Sequence, residues 1–278
     1  MTHNHRRSAP CATDHTVRFR GVGAVMGVLN VTPDSFSDGG PYLDHSAALE
    51  HGRRLIDEGA TVVDVGGEST RPGADPVGVD EELRRVIPVV ASLADEVRVS
   101  IDTRHEEVAR AAVAAGATIV NDVSAGLGSV AADLGVAWVA MHMLGDPRTM
   151  QEDPRYDDVV GEVRDYLIDR AEQARDNGVR EVWIDPGIGF GKTTGHNLEI
   201  LANLDALVDT GWPVVVGVSR KRFLGELIAA SDGLDGLTPV GDRREGSVAL
   251  ATWAYARGVD MVRAHDVRAT LDAARVVA

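Results

Sequence analysis

Residues 25–40 have the sequence VMGVLNVTPDSFSDGG, in which a short apolar run opens into a polar loop. The run Val25–Leu29 is typical of a strand that is buried on both faces. It ends at Asn30, and the loop that follows carries several hydroxyl and carboxylate side chains, one aromatic ring (Phe36) and two closing glycines. An ordinary strand–helix connection has the same composition, so this stretch alone does not separate a functional loop from a structural one.

The rest of the chain repeats this alternation of a short apolar run with a longer amphipathic segment. Runs of strand length lie at 24–29, 61–65, 97–101, 117–120, 136–141, 181–184, 213–218 and 259–263. Helical periodicity occurs at 44–58, 80–94, 105–115, 128–134, 157–177, 195–209, 220–229 with 243–257, and 266–277. Eight strand–helix units predict a single-domain (β/α)8 TIM barrel, with its active site at the C-terminal ends of the strands.

A doubly wound open sheet is the alternative for a chain that alternates strands and helices. Such a sheet usually has a glycine-rich phosphate loop after its first strand, and no GxGxxG pattern occurs there. The segment PGIGFGKT at 186–193 is similar to a phosphate loop, but Pro186 stands where that loop needs its first glycine. The barrel is therefore favoured.

Composition restricts the partners and the compartment. The net charge of −15 argues against nucleic acid or an anionic membrane as a partner. No apolar run reaches the roughly 18 residues of a membrane span. The single cysteine, Cys11, excludes a disulfide framework, and we expect a cytoplasmic protein. Residues 1–15 lack the apolar centre of a secretory signal, so we expect a disordered tail before a barrel domain at 16–278.

Polar side chains follow all eight apolar runs, at the end where a barrel builds its active site. A single polar residue there is usually a helix cap, but eight together are hard to explain by capping. These residues are Asn30; Asp64, Glu68, Ser69, Thr70 and Arg71; Asp102, Thr103 and Arg104; Asn121 and Asp122; His142; Asp185; Ser219, Arg220 and Lys221; Arg263 and His265.

One group of these residues suits an anion. Arg263 and His265 follow the eighth strand, and Lys221 follows the seventh, where barrels commonly bind phosphate. Arg71 is placed to close over the same anion. The carboxamide oxygen of Asn30 suits Mg²⁺, which prefers oxygen ligands and bridges phosphate groups.

A second group is acidic and rich in amides: Asp102, Asn121 and Asp185. Such side chains pair with the N–H edges of a heterocycle, as they do with nucleic-acid bases. The loops 31–40 and 66–74 are typical of mobile lids, with Phe36 and Pro72 as apolar contacts. The expected substrate is a flat nitrogen heterocycle that carries a phosphate group.

Eight motifs occur in the order found in the dihydropteroate synthase family, which this chain resembles over residues 24–278. They are MGVLNVTPDSFSDGG, DVGGESTRPGA, SIDT, NDVS, MHM with GDPRTMQ, IDPGIGFGKTTGHN, GVSRKRFLG and RAHDV. The resemblance implies a (β/α)8 barrel that joins dihydropterin pyrophosphate to p-aminobenzoate, with pyrophosphate departing before the amine attacks. It also implies Mg²⁺ as cofactor, sulfonamides as inhibitors, and a homodimer formed through helices away from the site.

The resemblance assigns a role to each matching residue. Asp102, Asn121, Met141, Asp185 and Lys221 would bind the pterin. Asn30, Arg71, Arg263 and His265 would bind the pyrophosphate, with Asn30 acting through the metal ion. Phe36, Thr70, Pro72, Phe190, Ser219 and Lys221 would form the p-aminobenzoate pocket. Asn30, Arg71, Lys221, Arg263 and His265 would be the catalytic set.

Two alternative functions stay open, and one residue and two segments have no assigned role. A corrinoid-type methyltransferase would share the pterin residues but would not need the anion group, and a non-catalytic pterin-binding paralogue would need no intact motifs. Lys192, one of only two lysines, has no assigned role and could cap the loop after the sixth strand. The acidic segment 230–242 and the N-terminal tail lie outside the motifs.

Overall fold

Eight parallel strands form one sheet that closes into a barrel. The structure is a computed structural model that describes residues 23–32, 45–69, 76–146 and 148–277. The sheet has the order β6-β5-β4-β3-β2-β1-β8-β7, and a parallel bridge between Ile184 and Val214 joins its two edges. The strands are β1 (Ala24–Asn30), β2 (Val62–Gly66), β3 (Arg98–Asp102), β4 (Ile119–Asp122), β5 (Ala137–Met141), β6 (Val182–Asp185), β7 (Val215–Gly217) and β8 (Met261–Ala264). The predicted (β/α)8 barrel is confirmed.

Helices surround the barrel and follow the strands in sequence. They are α1 (His45–Asp57), α2 (Val79–Leu93), α3 (Glu106–Ala114), α4 (Gly128–Leu134), α5 (Val159–Asp176), α6 (Thr194–Ala202), α7 (Asp205–Val208), α8 (Arg222–Asp232), α9 (Arg244–Ala256) and α10 (Val267–Val277), with a 3₁₀ turn at Val240–Arg243. Six glycines before strands have positive φ, as expected for turns from helix to strand: Gly59, Gly116, Gly135, Gly178, Gly211 and Gly258.

Alternating side chains of each strand build two separate cores. In β1, Met26 packs inside the barrel, whereas Val25 and Leu29 pack outward against the helices. This two-sided burial explains why the strands are continuous apolar runs rather than alternating ones. The inner core is formed by Ala24, Met26, Val62, Ile119, Ala137, Val139, Trp183, Val215 and Met261.

An ion pair inside the barrel joins β3 to the start of β6 at the N-terminal end. Both Nη atoms of Arg98 donate to the carboxylate of Glu181 at 2.8 Å. The indole N–H of Trp183 donates to the same carboxylate at 2.8 Å. Burial alone would raise the pKa of Glu181, but the hydrogen bonds from Arg98 and Trp183 lower it.

One predicted helix is not continuous. The helix expected at 195–209 is interrupted at Asn203, whose φ of −118° and ψ of 36° leave the helical region and end α6. Its side chain donates to the carbonyl of Glu199 at 2.8 Å. The segment 230–242 lies at the surface, where Thr238 is its one buried residue, and Arg243 anchors the stretch between α8 and α9. The buried guanidinium of Arg243 donates to the carbonyl of Thr238 at 2.6 and 2.8 Å.

Some predictions concern residues outside the described ranges. These are the disordered tail at 1–15 and most of the two predicted lids, together with Phe36, Thr70, Arg71 and Pro72. Within the ranges that the structure describes, no helix is both long and apolar enough to cross a membrane.

We predict that Arg98→Met lowers the free energy of unfolding by about 1–3 kcal/mol, because it leaves the half-buried Glu181 carboxylate without its cation. The matched control is Arg53→Met, which breaks the Arg53–Glu96 pair, whose side chains are 54% and 37% exposed. That exposed pair should contribute less, because solvent screens its charges. Urea unfolding of both variants measures the difference, and equal losses would contradict a special role for the inner pair.

Candidate active site

One row of residues crosses four neighbouring strands at the C-terminal mouth of the barrel. The strand register aligns Asn30 with Gly66, Gly66 with Asp102, and Asp102 with Asn121. Aligned residues of parallel strands point to the same side, so Asn30, Asp102 and Asn121 face the barrel interior together. Gly66 has no side chain, and a Cβ there would lie 3.4 Å from the Cβ of Asp102. The row therefore brings together three of the predicted site residues.

Arg263 on β8 lies between two carboxylates beneath this row. Its Nε donates to Asp64 at 2.6 Å, and its Nη2 donates to Asp102 at 2.8 Å. The amide of Asn121 donates to the same Asp64 oxygen at 3.0 Å. Arg263, which the sequence analysis assigned to the anion group, therefore also pairs with Asp102 of the acidic group, and its contact with an anion stays a prediction.

Asp64 is a site residue to which the sequence analysis assigned no role. Asp64 is fully buried. Its Cα is aligned with that of Ser100, two residues before Asp102 on β3. Its Oδ1 has no hydrogen-bond partner among the described residues. A carboxylate inside the apolar run TVVDV was the available signal. A buried carboxylate requires a cation, and that cation is Arg263.

Burial and charge shift the protonation of this cluster. Burial raises the pKa of Asp102 to about 7; the Arg263 charge opposes this shift and the Asp64 charge adds to it. Burial would lower the pKa of Arg263, but its two carboxylate partners raise it well above the usual range. Arg263 therefore stays charged, and the pKa of Asp102 lies near neutral pH.

His265, after β8, is oriented by Ser219, after β7. The Ser219 hydroxyl accepts from the His265 backbone N–H at 3.2 Å and lies 2.9 Å from its Nδ1. The hydroxyl can donate to Nδ1 or accept from it, so the contact orients the imidazole in either tautomer. A protonated ring nitrogen of His265 can offer an N–H to an anion. The predicted contact of Ser219 with p-aminobenzoate stays a prediction.

Strands β5, β6 and β7 supply the opposite side of the mouth. Burial raises the pKa of Asp185, and its Oδ1 accepts from the backbone N–H of Gly187 at 2.7 Å. Met141 is buried at the end of β5. The Nζ atom of Lys221 lies 4.1 Å from the centroid of the Phe190 ring, a cation–π contact that joins the loops after β6 and β7.

Three other residues at the strand ends have structural partners. The buried carboxylate of Asp122 accepts from the backbone N–H groups of Ser124 and Leu127 at 2.9 and 2.6 Å. Arg220 pairs with Asp266 at 2.9 Å, and its φ of 58° is unusual for a residue with a side chain. His142 is buried beside Lys192.

A group with metal-ligand side chains lies beside the mouth, at Glu68, Glu82 and His105. Its members already have partners, since Glu68 accepts from Arg104 at 3.0 and 3.1 Å and Glu82 lies 2.7 Å from the Nδ1 atom of His105. The group is therefore a network of hydrogen-bonded side chains. Asn30 instead presents a single, partly exposed carboxamide, which fits a cation that takes its other ligands from phosphate and water.

Residues 26–265 match the model of the family described as pterin binding enzyme. A dihydropteroate synthase of Mycobacterium leprae (strain TN) is 49% identical over 262 residues, which cover 91% of this chain and 92% of the relative. A dihydropteroate synthase of Xanthomonas albilineans, solved with 4-aminobenzoic acid, has a TM-score of 0.83 and 48% identity and covers 91% of each chain. The Yersinia pestis dihydropteroate synthase, in a sulfonamide drug complex, has a TM-score of 0.84 and 41% identity and covers 92% of this chain and 93% of that one.

We predict that the stability of the wild type relative to Asp102→Asn falls as the pH rises from about 4 to about 7. The pKa of Asp102 is raised on folding, so its contribution is complete below the unfolded pKa and is lost as the pH rises through about 7. The slope should not exceed about 1.4 kcal/mol per pH unit.

Urea unfolding of both proteins across this pH range measures the effect. The control is Asp153→Asn, since a hydrogen bond from Arg155 lowers the pKa of the exposed Asp153 and any trend should have the opposite sign. The raised pKa would be contradicted if the free energy of unfolding of the wild type, relative to that of Asp102→Asn, stayed constant or increased as the pH rises.

Proposed function

Because this chain belongs to the family of pterin binding enzymes, and within it to the dihydropteroate synthases, we propose that it joins 6-hydroxymethyl-7,8-dihydropterin pyrophosphate to p-aminobenzoate. The products are 7,8-dihydropteroate and pyrophosphate, so the enzyme is a transferase of folate synthesis. The observation that carries the proposal is the placement of Arg263 between Asp64 and Asp102, directly beneath the row formed by Asn30, Asp102 and Asn121.

The acidic row supplies acceptors for the N–H edge of the pterin. The amide nitrogen of Asn121 is committed to Asp64, which leaves its carbonyl oxygen as the acceptor. Asp102 and Asp185 add carboxylate oxygens on either side of it. Because burial raises the pKa of both carboxyls, a ligand with N–H donors draws Asp102 and Asp185 toward the ionised form when it binds.

The pyrophosphate lies above this pocket, toward the open mouth of the barrel. The two ion pairs of Arg263 use Nε and Nη2, which leaves the N–H groups of Nη1 for a phosphate oxygen. A ring N–H of His265 contributes a second donor, and Arg71 contributes a third from the loop after β2. Asn30 would hold Mg²⁺ against the same oxygens, and the ion, when bound, neutralises charge on the leaving pyrophosphate.

Bond cleavage precedes bond formation in the proposed reaction. The bond between the pterin methylene carbon and the pyrophosphate oxygen breaks, and both electrons leave with pyrophosphate. The carbocation is delocalised into the pterin ring, and the carboxylates of Asp102 and Asp185 stabilise it. The amine nitrogen of p-aminobenzoate then bonds to this carbon and loses a proton. No nucleophilic side chain is required, so cationic donors on the leaving group supply most of the acceleration.

The second substrate reaches the methylene carbon from the side of Phe190 and Lys221. The Phe190 ring offers a face for the aromatic ring of p-aminobenzoate, while Phe36, Thr70, Pro72 and Ser219 complete the pocket in this proposal. Sulfonamides resemble p-aminobenzoate, so they should compete for the same pocket. The anion donors His265 and Arg263 favour this synthesis over corrinoid-dependent methyl transfer, which releases no pyrophosphate.

The proposed enzyme is a cytoplasmic homodimer. Six exposed large apolar residues group on α6, α8, α9 and the segment between α8 and α9: Leu198, Leu227, Leu234, Leu237, Val240 and Trp253. The indole of Trp253 donates to the carbonyl of Leu201 at 2.7 Å, which joins α9 to α6. An exposed apolar face of this kind suits a second copy of the chain, at a distance from the barrel mouth.

Purified protein with Mg²⁺, dihydropterin pyrophosphate and p-aminobenzoate should release pyrophosphate, and Lys221→Met should lower kcat/KM about 10²–10³-fold through loss of a cationic donor. The control is Arg222→Met, one residue further on, whose exposed side chain pairs with Glu226 and should leave activity unchanged. Absence of release with both substrates present would exclude the synthase and leave the non-catalytic paralogue. Methyl transfer in its place would support the corrinoid alternative.

Leu227→Glu should weaken self-association at least about tenfold by placing a charge in an apolar contact. Val276→Glu is the control, because Val276 is 82% exposed on α10, outside the grouped face. Sedimentation equilibrium measures both variants beside the wild type. A monomeric wild type, or equal weakening by the two variants, would exclude this face as the dimer contact.

A further inference from the structure

Lys192 is a buried lysine whose four hydrogen-bond partners are all uncharged acceptors. Only 2% of the residue is exposed. Its Nζ lies 2.9 Å from the Nδ1 atom of His142 and 3.3, 3.1 and 3.0 Å from the carbonyl oxygens of His142, Gly187 and Phe190. These partners lie at the end of β5 and in the loop after β6, so one ammonium joins the two segments.

The protonation states of Lys192 and His142 fit this arrangement. Burial and the Lys192 charge lower the pKa of His142 to about 3, so its Nδ1 is an acceptor at neutral pH. Burial lowers the pKa of Lys192 to about 7, and the charge of Asp185 opposes the shift. The carbonyls oppose it as well, because only the ammonium form has three N–H donors to share among them.

The loop from Asp185 to Lys192 lies directly on the end of β5. Gly187 has a φ of 64°, and a Cβ there would lie 1.9 Å from the carbonyl oxygen of His142. On its outer side, Gln151 donates to the carbonyl of Gly189 at 2.7 Å, and the Tyr156 hydroxyl donates to that of Gly191 at 2.8 Å. Lys192 binds this loop from beneath, on the side of the barrel.

The position of Phe190 depends on this loop. Its carbonyl accepts from Lys192, its backbone N–H donates to Gly187 at 3.0 Å, and its ring contacts the ammonium of Lys221. We propose that Lys192 is a positioning residue, whose buried ammonium fixes the loop after β6 so that Phe190 presents its ring beside Lys221 in the arylamine subsite. This inference rests on the proposed function for the identity of the subsite, but not for the geometry.

An ammonium suits this place better than the other side chains of similar length. Methionine has a similar length but no donor, so the carbonyls of His142 and Phe190 would lose this N–H partner, while that of Gly187 would keep the Phe190 backbone N–H. Arginine has a planar fork that does not match acceptors distributed around one point. Glutamine provides two N–H groups and should therefore have an intermediate effect.

Fluorine NMR tests the positioning directly in the whole protein. The chain has four phenylalanines, so 4-fluorophenylalanine gives four resonances, and those of Phe190 and Phe223 are assigned by substitution to leucine. In Lys192→Met we expect the Phe190 resonance to shift and broaden while that of the buried Phe223 stays in place. KM for p-aminobenzoate should rise about 10-fold to 100-fold, with little change in KM for dihydropterin pyrophosphate.

The matched control is Tyr156→Phe, which removes a single hydrogen bond from the outer side of the same loop. It should keep the wild-type Phe190 resonance and KM values. Lys192→Gln should lie between the wild type and Lys192→Met, and it takes the place of Lys192→Met if thermal melts show that the methionine variant does not fold.

Three results would overturn the proposal: an unchanged Phe190 resonance in Lys192→Met, the same change in Tyr156→Phe, or a joint shift of Phe190 and Phe223. The last would assign Lys192 to general stability. Failure of the proposed function is distinguishable, because a wild type without synthase activity still gives the four resonances. The fluorine comparison then decides the positioning role without any kinetic measurement.

Discussion

The guanidinium of Arg263, held between the carboxylates of Asp64 and Asp102, is the interaction on which the mouth of the barrel depends. Asp64 is fully buried, so removal of Arg263 would leave its charge without a partner in an apolar barrel. Burial of the carboxyl raises the pKa of Asp102, whereas the positive charge of the same guanidinium lowers it. One side chain therefore stabilises the acidic pocket, and in the proposed reaction it would also couple binding of the heterocycle to binding of its leaving group.

The architecture could be predicted because it follows from local patterns. The strands of a barrel covered by helices are buried on both faces, and runs such as 136–141 and 213–218 show this directly. The glycines before strands mark the turns, as the positive φ of Gly178 and Gly258 confirms. The break at Asn203 was missed because the helical periodicity continues past it, and the change of backbone dihedral angles at this one residue does not alter the apolar pattern.

The partners within the site could be predicted only in part. The positions of polar residues at strand ends identify Asn30, Asp102 and Asn121 as neighbours, since parallel strands meet at one edge. Sequence order does not indicate which side chains contact each other across the barrel. Arg263 and Asp64 are 199 residues apart, and their contact depends on barrel closure, on register and on the length of an arginine side chain.

The two lysines show the same limit of predicting side-chain partners from sequence. In sequence, Lys192 and Lys221 are equivalent, each a few residues beyond an apolar run. In the structure, Lys221 lies over an aromatic ring at the mouth, whereas Lys192 is buried among carbonyl groups and the imidazole of His142. Their surroundings differ because the loop after β6 folds back over β5 and encloses Lys192. A cation proposed to contact substrate and a cation proposed to organise the loop beside it thus have the same sequence signature, and only the geometry of the carbonyl acceptors separates them.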